Sequence, residues 1–465
     1  MPTSLISSMP LDNRIFAFLT LVVVVDAYTV FETTCTIPGD VAVNFVSSPD
    51  TRGTLDILWS CLFTILTCAW LIQYLNVPSH DEKRQASTTL EAVWLYVKSA
   101  AKGFFGKQKW VVLTILAPEF MLGKATTDYV TARRLTASLR VFAEDDGVQW
   151  SNTHSFFANM GGFKIKFEHE TKSRGVDEIQ RLNSSEGIAE ARPAEASVVM
   201  TGPDLLWLRE TGSLEHLPNV SRDEILDRSK GKGSDIFAIL VVTVQIFSLA
   251  FNVIVRAAKG LAVSQLEIMA SAFSLCSFLS YLILLKRPQD VQTTILLPIT
   301  VHSSLDIGNL PSQKYGFSLG LFMIPSAPHR EAFRERIPND FVSGIDTFGI
   351  IYFAVGMMFG GLTFGSIHLA AWNFHFPSVT ERVLWRASSL FVTCVLPFLF
   401  LPTVFGTRFD IPRFCFLALQ DLGLALSSLY TAARLFLLVE TFRTLLFLPP
   451  DAYVATWAKN VPHFS

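Results

Sequence analysis

IFAILVVTVQIFSLAFNVIV, running from Ile236 to Val255, carries no charge along its whole length. A membrane helix needs about 20 mainly apolar residues to cross roughly 30 Å of hydrocarbon. Working outward, comparable runs lie at Ile15–Phe31, Thr54–Leu75, Leu261–Leu285, Ile345–Trp372, Leu384–Phe405 and Phe414–Val439. The pattern predicts an all-α fold, a polytopic transmembrane helical bundle with a polar extramembrane region between helices. Trp110–Leu122 is a candidate eighth segment, short and interrupted by Pro118. The expected divisions are membrane segments over 1–123, an extramembrane region over 124–235, a C-terminal bundle over 236–448 and a polar-aromatic tail over 449–465.

Composition agrees. Of 465 residues, 50% are hydrophobic and only 17% charged, against about 25% in ordinary soluble domains. A net charge of -2 gives no reason to propose nucleic acid as a partner. The expected partners are membrane lipids and a lipophilic small molecule, in an integral membrane location. The six cysteines, at 35, 61, 68, 276, 394 and 415, lack the neighbouring histidines of a zinc site. They read as small buried residues of membrane helices.

The first run resembles a signal peptide in length. With one basic residue, Arg14, ahead of it and no clear A-x-A site behind it, a spanning helix is preferred. Pro78–Lys109 is polar and basic, with an amphipathic stretch over Thr89–Phe105 that suits the interface plane. Its Lys83, Arg84, Lys98, Lys102 and Lys107 favour the cytosol. Whether Trp110–Leu122 crosses, re-enters or dips decides where the next region lies: if it does not cross, both polar regions are cytosolic. Sequons at Asn183 and Asn219 point the other way. Within 124–235, Gly175–Val198 reads as a short helix and loop, and Leu205–Leu217 as a surface-docking piece. His154 precedes Gly161 and Gly162, whose turn would fold it back onto the membrane domain. Val291–Tyr315 reads as an interfacial loop.

Charges inside apolar runs cost about 2.5 kcal/mol or more, so they mark candidate sites. Glu119 sits after Pro118 and is expected at the interface or paired with Lys124. Glu267 begins the run LEIMASAFSLCSFLSYLILL, where a terminal salt bridge is the plain reading. Asp421 lies about two turns into its segment and is read the same way. His368 ends a glycine-rich helix carrying Gly349, Gly356, Gly360, Gly361 and Gly365; the spacing of Gly356 and Gly360 permits close helix contact. Glu381, Trp385 and Arg386 form a polar knot at the start of the next helix. Arg434 sits in LYTAARLFLLVETF and stays charged, so it should face an acid inside the bundle. Glu267 is its first expected partner, with Glu119 and Glu440 as alternatives. Glu440 lies six residues on and turns about 240° away.

Nucleotide-binding, zincin, nucleophile-elbow and potassium-filter signatures are absent from the sequence. The runs Arg52–Pro78, His154–Phe163, Leu266–Val291, Phe364–Ser378 with Glu381–Arg386, and Leu429–His463 resemble, in this order, a large family of fungal integral membrane proteins. That family is functionally uncharacterised. The resemblance implies a fungal source and a membrane location, and transfers no catalytic role. Functional readings therefore rest on the costly groups. In a membrane-embedded enzyme or binder of a lipophilic substrate, His368 would be the acid–base group, Glu267 its partner and Arg434 the anion anchor. No metal site is expected, and no cofactor follows. The alternatives are a non-catalytic scaffold or assembly factor, a transporter and a receptor-like protein.

Overall fold

The structure is a computed structural model that describes residues 51–78, 107–166, 197–229, 234–297, 310–311, 317–318, 336–339, 341–342, 348–405 and 413–456. The expected elements at Ile15–Phe31 and Thr89–Phe105, and nearly all of Gly175–Val198, lie outside these residues.

The fold is an all-α membrane bundle with an extramembrane layer. Six described helical segments are long and apolar enough to cross a bilayer. They belong to α1 (Thr54–Leu71), α6 (Ser234–Ala258), α7 (Gln265–Leu284), α8 (Phe348–Leu369), α9 (Val379–Phe405) and α10 (Arg413–Thr444). Between α1 and α6 come α2 (Pro118–Asp145), α3 (Asn152–Asn159), α4 (Gly202–Glu210) and α5 (Arg222–Asp227). A helical stretch over 107–116 precedes α2.

Contacts define two ends. At the first, Arg52 joins the start of α1 to Glu267 at the start of α7, at 2.5 Å. At the second, Arg287 just beyond α7 donates to the Tyr74 carbonyl just beyond α1, at 2.9 Å. These are called the Arg52 end and the Arg287 end. Helix α1 finishes at the Arg287 end, where its Leu71 carbonyl accepts from Gln289. Helix α6 finishes at the Arg52 end, where Arg256 donates to the carbonyls of Asp451 and Val454. Helix α6 therefore starts at the end where α1 stops, and the described residues between them enter and leave the bundle by the Arg287 end.

Residues 107–145 make that excursion as a re-entrant hairpin. Lys107 lies near Asp290 and over the Trp70 ring, at the Arg287 end. The chain then goes inward to Leu116, breaks, and returns along α2. Glu119 of α2 meets Gly360 of α8, Gly123 meets Gly356, and Thr127 donates to the Gly349 carbonyl. Asp128 then reaches Arg287. Trp110–Leu122 thus turns back inside the bundle rather than running through to its Arg52 end.

The bundle holds by close approach. Lipid tails are as apolar as leucine, so burial itself drives helix association little there. A side chain at Gly356 would fall 2.7 Å from the Gly123 Cα, and one at Gly360 would fall 2.8 Å from the Glu119 Cβ. The pair expected from spacing is therefore the seam on which α2 lies. Gly361 and Gly365 meet Leu396 and Thr393 of α9 in the same way. Outward faces carry exposed Leu55, Trp59, Phe247, Leu390 and Phe398, as lipid contact requires. Cys61, Cys68 and Cys276 are free and buried, as read from sequence, whereas Cys394 is exposed.

The extramembrane layer uses water. Leu139, Phe157, Phe163 and Leu205 form its core, each contributing about 1.5–3 kcal/mol. A small sheet completes it, ordered β2-β1-β3, from β1 (Phe163–Lys166), β2 (Ser197–Met200) and β3 (Ile295–Leu297). Strand β1 pairs antiparallel with β2 and parallel with β3. Strand β3 replaces part of the loop expected over Val291–Tyr315, because Leu297 has a core to enter. Likewise Leu205, Leu208, Leu214 and Leu217 point into this core, not onto a membrane surface. Asp146 binds Arg209, the Leu217 N–H and His216. Partial burial works against its charge, but these donors outweigh it and hold the carboxyl at about 2.

His154 does not fold back onto the membrane domain. It caps α3: its Nδ1 accepts from the Ser151 N–H, and its Nε2 donates to the Val220 carbonyl at 2.8 Å. Burial, with the nearby Arg222 charge, lowers its pKa despite that carbonyl. The folded state therefore favours the neutral ring. Its contribution is complete above the unfolded value of about 6.5 and is lost as pH falls toward the lowered folded value. Stability of this layer, followed by Trp150 fluorescence in urea, should decline below about pH 6.5. His154→Gln should flatten that decline; an unchanged slope would remove His154 as its source.

Candidate functional site

The break in the hairpin organises the polar interior. Ala117 has φ -147 and ψ 73, outside the helical region, because the ring of Pro118 disfavours a helical residue before it. Pro118 then opens α2 at a position that needs no N–H donor. A break inside a bilayer is tolerated only where protein or a lined cavity satisfies the freed backbone. Arg434 does so here: its Nε donates to the Leu116 carbonyl at 3.0 Å.

Glu119 follows in the first turn of α2 and is fully buried. It is neither interfacial nor paired with Lys124, which binds Asp128 at 3.0 Å. One Glu119 oxygen accepts the Tyr430 hydroxyl. The other lies 4.0 Å from Arg434 Nη2 and has no hydrogen-bond partner. Tyr430 and Arg434 are one turn apart on α10, so they present to Glu119 from one face. Arg434 lies about 15 Å along α10 from its end at Thr444, far from the interface.

The guanidinium carbon of Arg434 sits 3.7 Å above the Phe364 ring. The His368 ring stacks on Phe364 at 4.4 Å between centroids. Two planar groups this close cannot share one face of the ring, so Phe364 is sandwiched between them. His368 Nδ1 lies 2.8 Å from the Phe364 carbonyl, which only accepts, so this nitrogen carries the proton. Nε2 is left as the acceptor, buried and without a partner. Below it, the Trp385 indole donates to the His368 carbonyl at 3.3 Å.

Glu267 stands elsewhere, and the pairing with Arg434 expected from sequence is not formed. Helix α7 starts at Gln265, so Glu267 is its third residue; its carboxylate accepts from the Ser264 N–H and hydroxyl at 2.9 Å. The same carboxylate accepts from both terminal nitrogens of Arg52, Nη1 and Nη2, at 2.5 and 3.1 Å. This is the terminal salt bridge that a position near the helix start implies. Arg52 also donates to the Ala452 carbonyl. Arg256 is wholly buried and spends its donors on the carbonyls of Ala262, Asp451, Ala452 and Val454. Glu381 caps α9 through the Ser378 N–H and pairs with Arg443. Arg386 donates to the Trp372 carbonyl. Glu440 lies near Arg443, not Arg434. The side chain of Asp421 lies outside the described residues.

The structure therefore brings Arg434 and His368 together across Phe364, adds Glu119 and Tyr430, and leaves Glu267 in a separate knot. Sequence reading missed Tyr430, Arg52 and Arg256. Tyr430 stood four residues before Arg434, a spacing that could have nominated it. Among the described residues, no group of three or more His, Cys, Asp or Glu side chains gathers to hold a metal. What the array offers is a fixed cation, a carboxylate with one oxygen that accepts no hydrogen bond, a phenol and an unpartnered imidazole nitrogen, all buried.

No curated protein and no solved structure is significantly similar to this chain. Residues 23–313 match a family described as "Family of unknown function (DUF8562)". Glu119 and Glu267 fall inside the matched residues, and His368 and Arg434 beyond them. Since the match spans well over half of the chain, the protein belongs to this family.

Proposed function

We propose that this multi-pass membrane protein binds a lipophilic molecule inside its bundle and holds the molecule's polar head at Arg434, Glu119 and Tyr430. The observation that carries the reading is the helix break at Ala117–Pro118, placed deep in the bundle beside a fully buried carboxylate. Ionisable groups at membrane depth are costly and mark functional sites, and broken helices line such sites in membrane proteins. In an enzymatic form of this reading, Arg434 anchors an anionic head and His368 exchanges a proton through Nε2. Glu267 positions α1 and α7 and touches no substrate. The fungal source implied by the resemblance belongs to the same reading.

One observation favours a scaffold instead. The knot of Arg52, Arg256 and Glu267 spends its donors on backbone carbonyls and a helix cap, which is what locking a fold requires. Mass spectrometry of molecules that co-purify with the chain in nanodiscs separates the two. The binder reading expects one lipophilic species near one per chain, depleted roughly ten-fold or more in Tyr430→Phe, which loses one charge-assisted hydrogen bond. An identical lipid complement in folded wild type and variant would favour the scaffold.

A further inference from the structure

The charges around Phe364 close on themselves. Arg434 and Glu119 form an ion pair at 4.0 Å, which leaves no formal charge in excess. Tyr430 donates its hydroxyl to Glu119, and His368 carries one proton, on Nδ1, so neither adds a charge. A carboxylate or phosphate head would set a like charge beside Glu119, and an ammonium head would set one beside Arg434. At low dielectric either is strongly penalised. The array suits an uncharged head.

The unpartnered atoms say what that head must offer. Glu119 Oε2 and His368 Nε2 are both buried without a partner, and both only accept. Buried polar groups without partners are uncommon and mark places where a further group fits. An ester, ether or ketone brings lone pairs alone and would leave both acceptors unmet. A hydroxyl brings the missing donor and an acceptor as well. Glu119 Oε2 and Arg434 Nη2 stand too far apart to bond each other, and an oxygen about 2.8 Å from each closes the triangle. It donates to the carboxylate and accepts from the guanidinium. Arg434 is able to donate there: its Nε serves the Leu116 carbonyl, and among the described residues its terminal nitrogens make no hydrogen bond. Glu119 and His368 have no accessible surface whereas Arg434 keeps 6%, so the slot is approached along the guanidinium.

We infer that the bound molecule is an uncharged lipophilic alcohol, seated with its hydroxyl between Arg434 Nη2 and Glu119 Oε2. The inference rests on the reading that this array holds a polar head, and it names the chemistry of that head. His368 Nε2, on the other side of Phe364, accepts from a second hydroxyl where the head carries one. An anionic head, which the enzymatic form of the reading would hold, is the competing outcome.

Thermal unfolding of the full chain in phosphatidylcholine nanodiscs tests this. The probes doped into the lipid are dioleoylglycerol and cholesterol, the acetate ester of each, and dioleoyl phosphatidic acid. At least one alcohol should raise the midpoint at about ten-fold lower content than its acetate, which keeps the tail and loses the donor. Phosphatidic acid should not match it. Glu119→Gln leaves Arg434 as a net charge and should turn the preference to phosphatidic acid. Where that variant does not fold, the double variant with Arg434→Met is neutral again and should no longer distinguish alcohol from acetate; a double variant that still does would overturn the placement of the hydroxyl. Phosphatidic acid as the tighter ligand of the wild type would overturn the alcohol and leave the binding reading standing. Equal shifts by alcohol and acetate would mean that the slot takes water alone, with the same consequence. No shift by any probe would also overturn the alcohol, and the absence of a co-purifying lipophile would then overturn the binding reading with it.

Discussion

Replacing Arg434 with methionine should destabilise the bundle by about 3–5 kcal/mol, the usual cost of removing one partner from a buried ion pair. Methionine fills much of the same volume and still packs on Phe364. The loss falls on the groups left behind: the Glu119 carboxylate without its cation, and the Leu116 carbonyl at the helix break without its donor. The geometry also says which second change compensates. Glu119→Gln removes the stranded charge and keeps an oxygen for the Tyr430 hydroxyl. The double variant should therefore recover part of the loss, with a coupling energy of about 1–3 kcal/mol. Glu267→Gln should be additive with Arg434→Met within about 0.5 kcal/mol, because Glu267 answers to Arg52 instead. Reversible unfolding in mixed micelles gives these energies. Strong coupling between Arg434 and Glu267, with none to Glu119, would reverse the assignment of partners.

That reversal was the expectation from sequence, and the reason is instructive. Arg434 announced its need for an acid through its charge and its apolar neighbours. Which acid it meets depends on which helix lies beside α10 at that depth, and no local pattern encodes that. Glu267 was a reasonable candidate only while its helix was drawn from Leu261. The Ser264 cap moves the start to Gln265 and places Glu267 at the helix end, where a salt bridge is natural. Pro118 did signal a break. Its consequence, a return along the glycine seam of α8, depends on Gly356 and Gly360 accepting Gly123 and Glu119 at contact distance. The glycine spacing was visible in sequence; its partner was not.

The spans themselves were legible because twenty apolar residues in a row have few other uses. The extramembrane layer was less so. Its helices are short, and its strands are held by partners far away in the chain: Phe163 pairs with Met200 on one side and Ile295 on the other. The motif HSFFANMGGF drew attention to His154 for the wrong role. A histidine three residues after Ser151 completes a helix cap, and that local bond accounts for its position without any contact to the membrane domain.

The central claim is that residues 107–145 enter and leave the bundle by one end, which is what brings Glu119 to Arg434. Single cysteines at Lys109, Glu144 and Lys259 test it most directly, since all three positions are exposed. Lys109 begins the inward arm and Glu144 ends the outward one, both at the Arg287 end; Lys259 follows α6 at the Arg52 end. Sealed vesicles carrying each variant, in a background without other accessible cysteines, are treated with a membrane-impermeant maleimide from one side. Lys109→Cys and Glu144→Cys should label from the same side, the cytosolic one if the basic loop orients the protein, and Lys259→Cys from the opposite side. Labelling of Lys109→Cys and Glu144→Cys from opposite sides would mean that the segment crosses, and would contradict the account.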